Sequence, residues 1–359
     1  MTVLSIPFFG INRQYDNLRS EILDATDRVL RSGQVMSGNN TAEFESWLAK
    51  KNNCKYAVTV HSGTNALEIQ AAFYLEKLLK YGNRVPTAVV PAVTFPATAN
   101  AFVRAGWNLK ILDCDNYGLS HNRSSKFDLL VLVGIFGHSV EDLVPDLYTP
   151  NEVIEDGAQH WLSNHCHRAG HSTAISFDPT KNLNNYGNGG ALVTDDLELY
   201  RFAKKYRNHG KDSGVTDNGS NSRMSEVDCA QMLVKTQYLD SWQKRRAEIT
   251  NYWIELFSKA GIRTLIDRKN FDRHCYHKFV IEVNDRNQLA DRLKYRGIDT
   301  RVHYELPLHE MNCFANTDKP DFLNTASSLC RRVLSLPIYP ELTDLEIEYI
   351  ADQVRDCVA

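Results

Sequence analysis

The sequence predicts an α/β protein with a large α/β/α domain, built on a mostly parallel sheet, and a smaller C-terminal α+β domain. Three observations predict it. Short apolar runs at 55–60, 87–91, 109–113, 129–133 and 152–155 alternate with stretches of helical periodicity, the pattern of parallel strands joined by crossover helices. The last third changes character, with strands at 276–283 and 300–304 around a helix at 287–295. The length, 359 residues, favours two domains over one.

The elements follow in order. Leu18, Ile22, Ala25 and Val29 recur at helical spacing within 15–31, and Ser32-Gly33 ends that helix. A second helix over 41–51 starts at Thr41, a residue suited to an N-cap. The strand at 55–60 runs into His61-Ser62-Gly63-Thr64, which opens a long helix to about residue 80. Small residues between a strand and a helix N-terminus present free N–H groups beside the positive end of the helix dipole, which suits a phosphate as well as a plain turn. After the strand at 87–91, Phe95 sits where strand passes into helix, a place for stacking on a flat ligand or for ordinary core packing. Residues 196–207 read as a helix and 208–223 as a polar loop, long enough to serve function or an interface. Helical periodicity then runs from 225 to 259. The domain boundary is placed inside that stretch: residues 1–240 form the large domain and 241–359 the small one, with the N-terminal helix a candidate to pack on the latter. Thr343-Asp344-Leu345-Glu346 is a capping box that starts the last helix.

Composition narrows the class. Hydrophobic content is 43%, charged content 24% and net charge -3, with no basic stripe, so nucleic acid is not the expected partner. No apolar run approaches the ~18 residues of a membrane span. The first residues lack a basic region followed by a long apolar core, so no signal peptide is expected. The cysteines are scattered without a Cys-x-x-Cys pair, which favours free thiols and a cytoplasmic location. His160, His165, Cys166, His167 and His171 cluster in sequence, but their spacing matches no zinc frame, and no metal is expected.

The stretch 155–190 holds the chemistry. Asp156 closes a strand, and a buried aspartate needs a cation: an arginine, or a protonated ring nitrogen. Lys181 follows a short apolar run at the edge of the predicted core, where lysines lose protons and become nucleophiles; most lysines are instead solvated. Gln159 can bond a phenolate oxygen and Ser176 a phosphate. Together they form a kit for an aldehyde cofactor.

In this order occur Ser62-Gly63-Thr64-x-Ala66-Leu67, Thr94-Phe95-x-Ala97-Thr98, Glu155-Asp156-x-Ala158-Gln159, Ser176-Phe177-x-x-x-Lys181, Gly189-Gly190-Ala191 and Gly219-x-Asn221-x-Arg223-Met224-Ser225-Glu226. His303-Tyr304-x-Leu306-Pro307-Leu308-His309 and Ser335-Leu336-Pro337 follow. The series resembles the sugar-nucleotide aminotransferases of the DegT/DnrJ/EryC1/StrS family, pyridoxal 5′-phosphate (PLP) enzymes of fold type I, the aspartate-aminotransferase fold. The resemblance implies that Lys181 forms the Schiff base and moves the proton. It implies that Asp156 pairs with the pyridine nitrogen, Gln159 with the ring 3-hydroxyl, and Phe95 with the ring face. Gly63, Thr64 and Ser176 would hold the phosphate, joined by Asn221 of a second subunit in a homodimer. His303, Tyr304 and His309 would lie near the sugar nucleotide.

The implied reaction carries an amino group from L-glutamate to a nucleotide-linked ketosugar, with Lys181 as acid and base in both halves. Pro179-Thr180-Lys181-Asn182-Leu183 and Asn221-Ser222-Arg223 resemble the branch acting on 3-ketosugars, which favours a 3-keto-6-deoxyhexose over a 4-keto one. His61, Asp178, Asn188 and Met224-Ser225-Glu226 depart from that branch. Beside this stand a cyclitol or aromatic-precursor aminotransferase and a non-catalytic PLP-binding regulator.

Overall fold

In the computed structural model of the chain, the described residues are 4–358 except 81, 83, 121–126, 144–151, 164–169, 213–214, 267, 316 and 320–321. The first elements are α1 (Ile11–Ser32), α2 (Asn39–Lys51), β1 (Tyr56–Val60), α3 (Gly63–Leu79), β2 (Thr87–Pro91), α4 (Ala97–Ala105) and β3 (Asn108–Leu112). There follow β4 (Leu129–Val133), β5 (Glu152–Asp156), β6 (Ser172–Ser176), β7 (Gly190–Thr194) and α5 (Leu197–Tyr206). The short pair β8 (Lys211–Asp212) and β9 (Val215–Thr216) lies in the long polar loop. The chain then runs through α6 (Glu226–Thr236), α7 (Leu239–Lys259), β10 (Arg263–Thr264), β11 (Phe279–Glu282), α8 (Arg286–Tyr295), α9 (Asn324–Arg332), β12 (Val333–Leu336) and α10 (Asp344–Val358).

The main sheet has seven strands in the order β1-β7-β6-β5-β4-β2-β3. The run β6-β5-β4-β2-β3 is parallel, and β7 lies antiparallel to both of its neighbours. The sheet is therefore mostly parallel, as the alternation of strand and helix predicts. Both faces are covered, because strand side chains alternate. Val58, Val60 and Leu192 point into the cluster under α3 and α4, while Ala57, Ala191 and Val193 pack with Phe44 and Leu48 of α2. A second antiparallel sheet, β10-β11-β12, packs with Trp253 and Phe257 of α7 and Ile350 and Val354 of α10.

Three sequence expectations need correction. Helix α2 starts two residues before Thr41, with Gly38 at its cap. The cap is supplied from afar: the Glu226 carboxylate accepts from the N–H groups of Gly38, Asn40 and Thr41 (2.8, 2.9 and 2.9 Å) and from the Thr41 hydroxyl. The helical stretch 225–259 is two helices. Gln237 and Tyr238 donate three residues back, to Val234 and Lys235, and this tightened turn lets α6 face α1 while α7 enters the second core. No strand forms at 300–304; Arg301 makes one bridge to Ser335, after which His303 and Tyr304 turn toward a cavity.

Helix α1 buries Leu18, Ile22, Ala25 and Val29 against Ala230 and Val234 of α6. Its first turn reaches α10 through a two-pronged ion pair of Arg13 with Glu346, both contacts at 2.7 Å. The capping box forms as expected, with Thr343 N–H donating to Glu346 (3.0 Å) and Glu346 N–H to the Thr343 hydroxyl (3.2 Å). No helix among the described residues is long and apolar enough to cross a membrane.

Candidate active site

Parallel sheets bind ligands at the carboxyl ends of their strands. Here β5 and β6 end on Asp156 and Ser176, and β1 leads through Ser62 into α3. These ends surround a cavity of about 420 Å³. The cavity wall includes Gly63, Thr64, Phe95, Asp156, Gln159, Ser176, Lys181, His303 and Tyr304.

The N-terminus of α3 is tight. Ser62 caps it by accepting from Asn65 N–H at 3.2 Å. A Cβ on Gly63 would stand 2.8 Å from the Ser176 Cβ, and one on Gly190 would stand 2.3 Å from the Ser62 carbonyl carbon. Only glycine lets the helix start, the end of β6 and the start of β7 approach this closely. The free N–H groups of the first helical turn therefore open beside the Ser176 hydroxyl, an anion cradle.

Asp156 is 5% exposed. Thr98 Oγ1 donates to its Oδ2 at 2.6 Å, and Ala158 N–H to its Oδ1 at 3.1 Å. Thr94 stands behind Thr98, hydroxyl to hydroxyl at 2.8 Å. A carboxylate has about four acceptor positions, so this one keeps capacity for a further N–H. Gln159 is fixed from both ends: its Oε1 accepts from Phe136 N–H (2.9 Å) and its Nε2 donates to the Tyr304 hydroxyl (2.7 Å).

Lys181 lies in the loop between β6 and β7, half-buried on the cavity wall. Burial lowers its pKa below that of an ordinary lysine, and the charges of Asp178 and Asp156 only partly oppose this. The loop is pinned at Asn182, whose Nδ2 donates to Cys275 O (2.7 Å) and Gln243 Oε1 (2.9 Å). The Asn182 oxygen must then accept, so His277 carries its proton on Nδ1 (3.1 Å) and leaves Nε2 as an acceptor. Burial, reinforced by the charges of Lys278 and Lys181, pushes His303 down to about 2, so its ring is neutral; its Nδ1 pairs with the Ser335 hydroxyl at 2.9 Å. Burial, and then the charge of Asp156, raises the Tyr304 hydroxyl above its ordinary value.

Phe95 is 56% exposed, so it is a wall of the cavity and not core. Two expected residues lie elsewhere. Asn221 is exposed and pairs as an isolated bridge with Asn208, outside this chain's own cavity wall. His309 is also off the wall, with Nε2 on the Ser327 hydroxyl at 3.1 Å. Among the histidines weighed for zinc, His160 bonds Glu155 (3.1 Å), while His165, Cys166 and His167 fall outside the described residues. Among the described residues no group of three or more His, Cys, Asp or Glu is placed to hold a metal ion.

Sequence reasoning missed the role of Thr98 and the presence of His277 and Lys278. A signal for Lys278 was there: a charged residue directly before the apolar run Phe279-Val280-Ile281.

The chain is 32% identical to the erythromycin biosynthesis sensory transduction protein EryC1 of Saccharopolyspora erythraea, over 95% of this chain and 96% of that one. It is 30% identical to the dTDP-3-amino-3,4,6-trideoxy-alpha-D-glucose transaminase of Streptomyces venezuelae, over 98% and 96%. Among solved structures, S. venezuelae DesV in complex with a ketimine intermediate superposes with a TM-score of 0.88 at 29% identity, covering 98% of each chain. The family model for DegT/DnrJ/EryC1/StrS aminotransferases matches residues 16–124 and 145–355, and with these residues gathered on a type I aminotransferase fold the chain belongs to that family.

Proposed function

We propose that this protein moves an amino group from L-glutamate to the keto carbon of a nucleotide-linked sugar, with PLP as cofactor, in a homodimer whose subunits share their sites. The observation that carries the reading is the convergence on one cavity of an anion cradle, a donor-held carboxylate and a lysine that has no hydrogen-bond or ion-pair partner among the described residues. The residues fit the cofactor. The cradle at Gly63, Thr64 and Ser176 admits a phosphate because no side chain stands at 63. Asp156 retains acceptor capacity for a ring N–H, Phe95 offers a ring face, and the lysine amine is free to meet an aldehyde. When bound, PLP supplies an electron sink for the bond broken at Cα.

The chain's own residues do the rest. Burial makes the Lys181 amine available in its neutral form, and its place on the wall lets it take a proton from one carbon and return it to another. Thr98 and Ala158 hold the Asp156 carboxylate in one orientation, which fixes the partner of the ring nitrogen. Gln159, tied to Phe136 and Tyr304, orients a second hydrogen toward the ring hydroxyl. Tyr304 and the neutral His303 line the side from which a sugar enters. His309, held on Ser327, belongs to the same C-terminal segment and is assigned an outer, indirect part in sugar binding. Asn221 is exposed on the loop between α5 and α6, available to a partner's phosphate cradle.

A 3-keto-6-deoxyhexose is the favoured acceptor. Support comes from the loop around Lys181 and from the Streptomyces venezuelae relative, named for a 3-amino sugar. The Saccharopolyspora relative is named as a sensory transduction protein, which favours a non-catalytic second reading. One assay separates them: turnover of 3-keto and 4-keto dTDP-, UDP- and GDP-sugars with glutamate. A 3-keto substrate is expected to turn over fastest; no turnover of any would favour a regulator or a cyclitol enzyme. Subunit sharing has its own test. Mixing Lys181→Ala with Asn221→Ala chains should rebuild one intact site per mixed dimer, and activity that stays at the level of the separate variants would refute it.

A further inference from the structure

The cavity holds a second lysine that the reading above does not use. Lys278, just before β11, is 5% exposed and lines the cavity with Lys181, His277 and His303. Its Nζ lies 5.3 and 5.0 Å from the ring centroids of Phe8 and Phe9. Among the described residues its ammonium has no hydrogen-bond and no ion-pair partner. A buried ammonium in that state is costly, and two phenyl faces offset only part of the cost. The nearby carboxylates are engaged elsewhere: Asp156 with Thr98 and Ala158, Asp178 with the Thr180 N–H and hydroxyl (2.9 and 2.6 Å). Burial drives Lys278 well below an ordinary lysine, Lys181 and Arg246 repel it further, and Asp178 opposes them only at a distance. What would keep this group charged in place is a bound anion.

The anion must be small, because the same space of about 420 Å³ has to take a cofactor. The cofactor's phosphate has its own cradle on α3 and β6, whereas Lys278 comes from the segment that leads into β11. We propose that Lys278 binds a substrate carboxylate in this cavity, in the first place that of the amino donor. The inference rests on the aminotransferase reading, in which the donor brings a carboxylate to this wall in every cycle. A carboxylated sugar would bring the same chemistry.

The test uses the PLP-loaded protein and glutarate, a dicarboxylate without an amine, titrated by calorimetry. Lys278→Met keeps the long apolar stem and removes the charge. Glutarate affinity should fall at least about tenfold, the lower end for a lost charge-assisted hydrogen bond. The cofactor absorbance and the kcat/KM for a nucleotide-linked ketosugar whose sugar carries no carboxylate should not move, and Lys278→Arg should restore part of the affinity. A selective rise in KM for a uronate-type ketosugar, with glutarate unaffected, would assign the carboxylate to the sugar. Wild-type values for both ligands in Lys278→Met, or a loaded wild type that binds neither, would overturn the proposal. If the methionine variant does not fold, Lys278→Gln is judged by the same measurements. Failure of the aminotransferase reading registers separately, as a wild type without a Lys181-dependent cofactor band.

Discussion

Replacing Thr98 by valine tests how Asp156 is held. The change keeps the branched shape and removes one hydroxyl. Thr98 is fully buried and donates to Asp156 Oδ2 at 2.6 Å, and its oxygen is in turn the partner of the Thr94 hydroxyl at 2.8 Å. The valine variant thus strips a charge-assisted hydrogen bond from a carboxylate that is 5% exposed, while Ala158 N–H still donates to it at 3.1 Å. A lost bond of this kind costs about 1.5–3 kcal/mol. The cofactor-free protein should lose that much stability, read as a lower midpoint in urea denaturation. In the PLP-loaded protein the loss should be smaller, because a ring N–H gives the carboxylate another donor. Thr98→Ser, which keeps the hydroxyl, should stay near wild type. Equal midpoints for the valine variant and wild type would refute the bond's importance, and a larger loss in the loaded form would refute the pairing assigned to Asp156.

Two further outcomes are expected. Gly63→Ala puts a Cβ 2.8 Å from the Ser176 Cβ, well inside ordinary carbon contact, so the phosphate cradle must open. Overpacking of this kind costs about 1–3 kcal/mol, and PLP affinity should fall by about tenfold in a spectrophotometric titration; an unchanged dissociation constant would contradict the cradle. Lys235 is fully buried, donates to Asn184 O at 2.8 Å, and is pushed down by burial to about 7. Between about 7 and the ordinary 10.5 the unfolded chain holds the proton that the folded chain has lost, so stability rises with pH across that window. Lys235→Met should flatten the rise by up to about 1.4 kcal/mol per pH unit, measured by urea denaturation from pH 7.5 to 9.5. Parallel slopes in the two proteins would contradict it.

Much of this was legible in the residues. The strand–helix alternation announced a mostly parallel sheet, and the ends of those runs carried Asp156, Ser176 and the turn at Gly63 to the same rim. Single residues were less legible. Asp156 and Lys181 each have a more ordinary reading, and the order of several short motifs gave them their meaning. What stayed hidden depends on contacts between distant segments. Lys278 enters the cavity because β11 pairs with β12, a partner more than fifty residues on in the chain that periodicity does not announce. Thr98 matters because α4 starts beside the end of β5. Thr41 looked like a cap because its type is right, but the Glu226 carboxylate, 185 residues further along the chain, takes the helix N–H groups and the Thr41 hydroxyl as well. The 300–304 run has strand-like composition, yet only Arg301 finds a partner, at Ser335.

The central claim is that Lys181 carries the cofactor, and the visible spectrum tests it most directly. Purified protein loaded with PLP should show the absorbance band of a lysine–cofactor imine, and borohydride should fix the cofactor to a peptide containing Lys181. Lys181→Ala should abolish both while still binding PLP through the cradle and Asp156. A band and a fixed label that persist in Lys181→Ala would contradict the account.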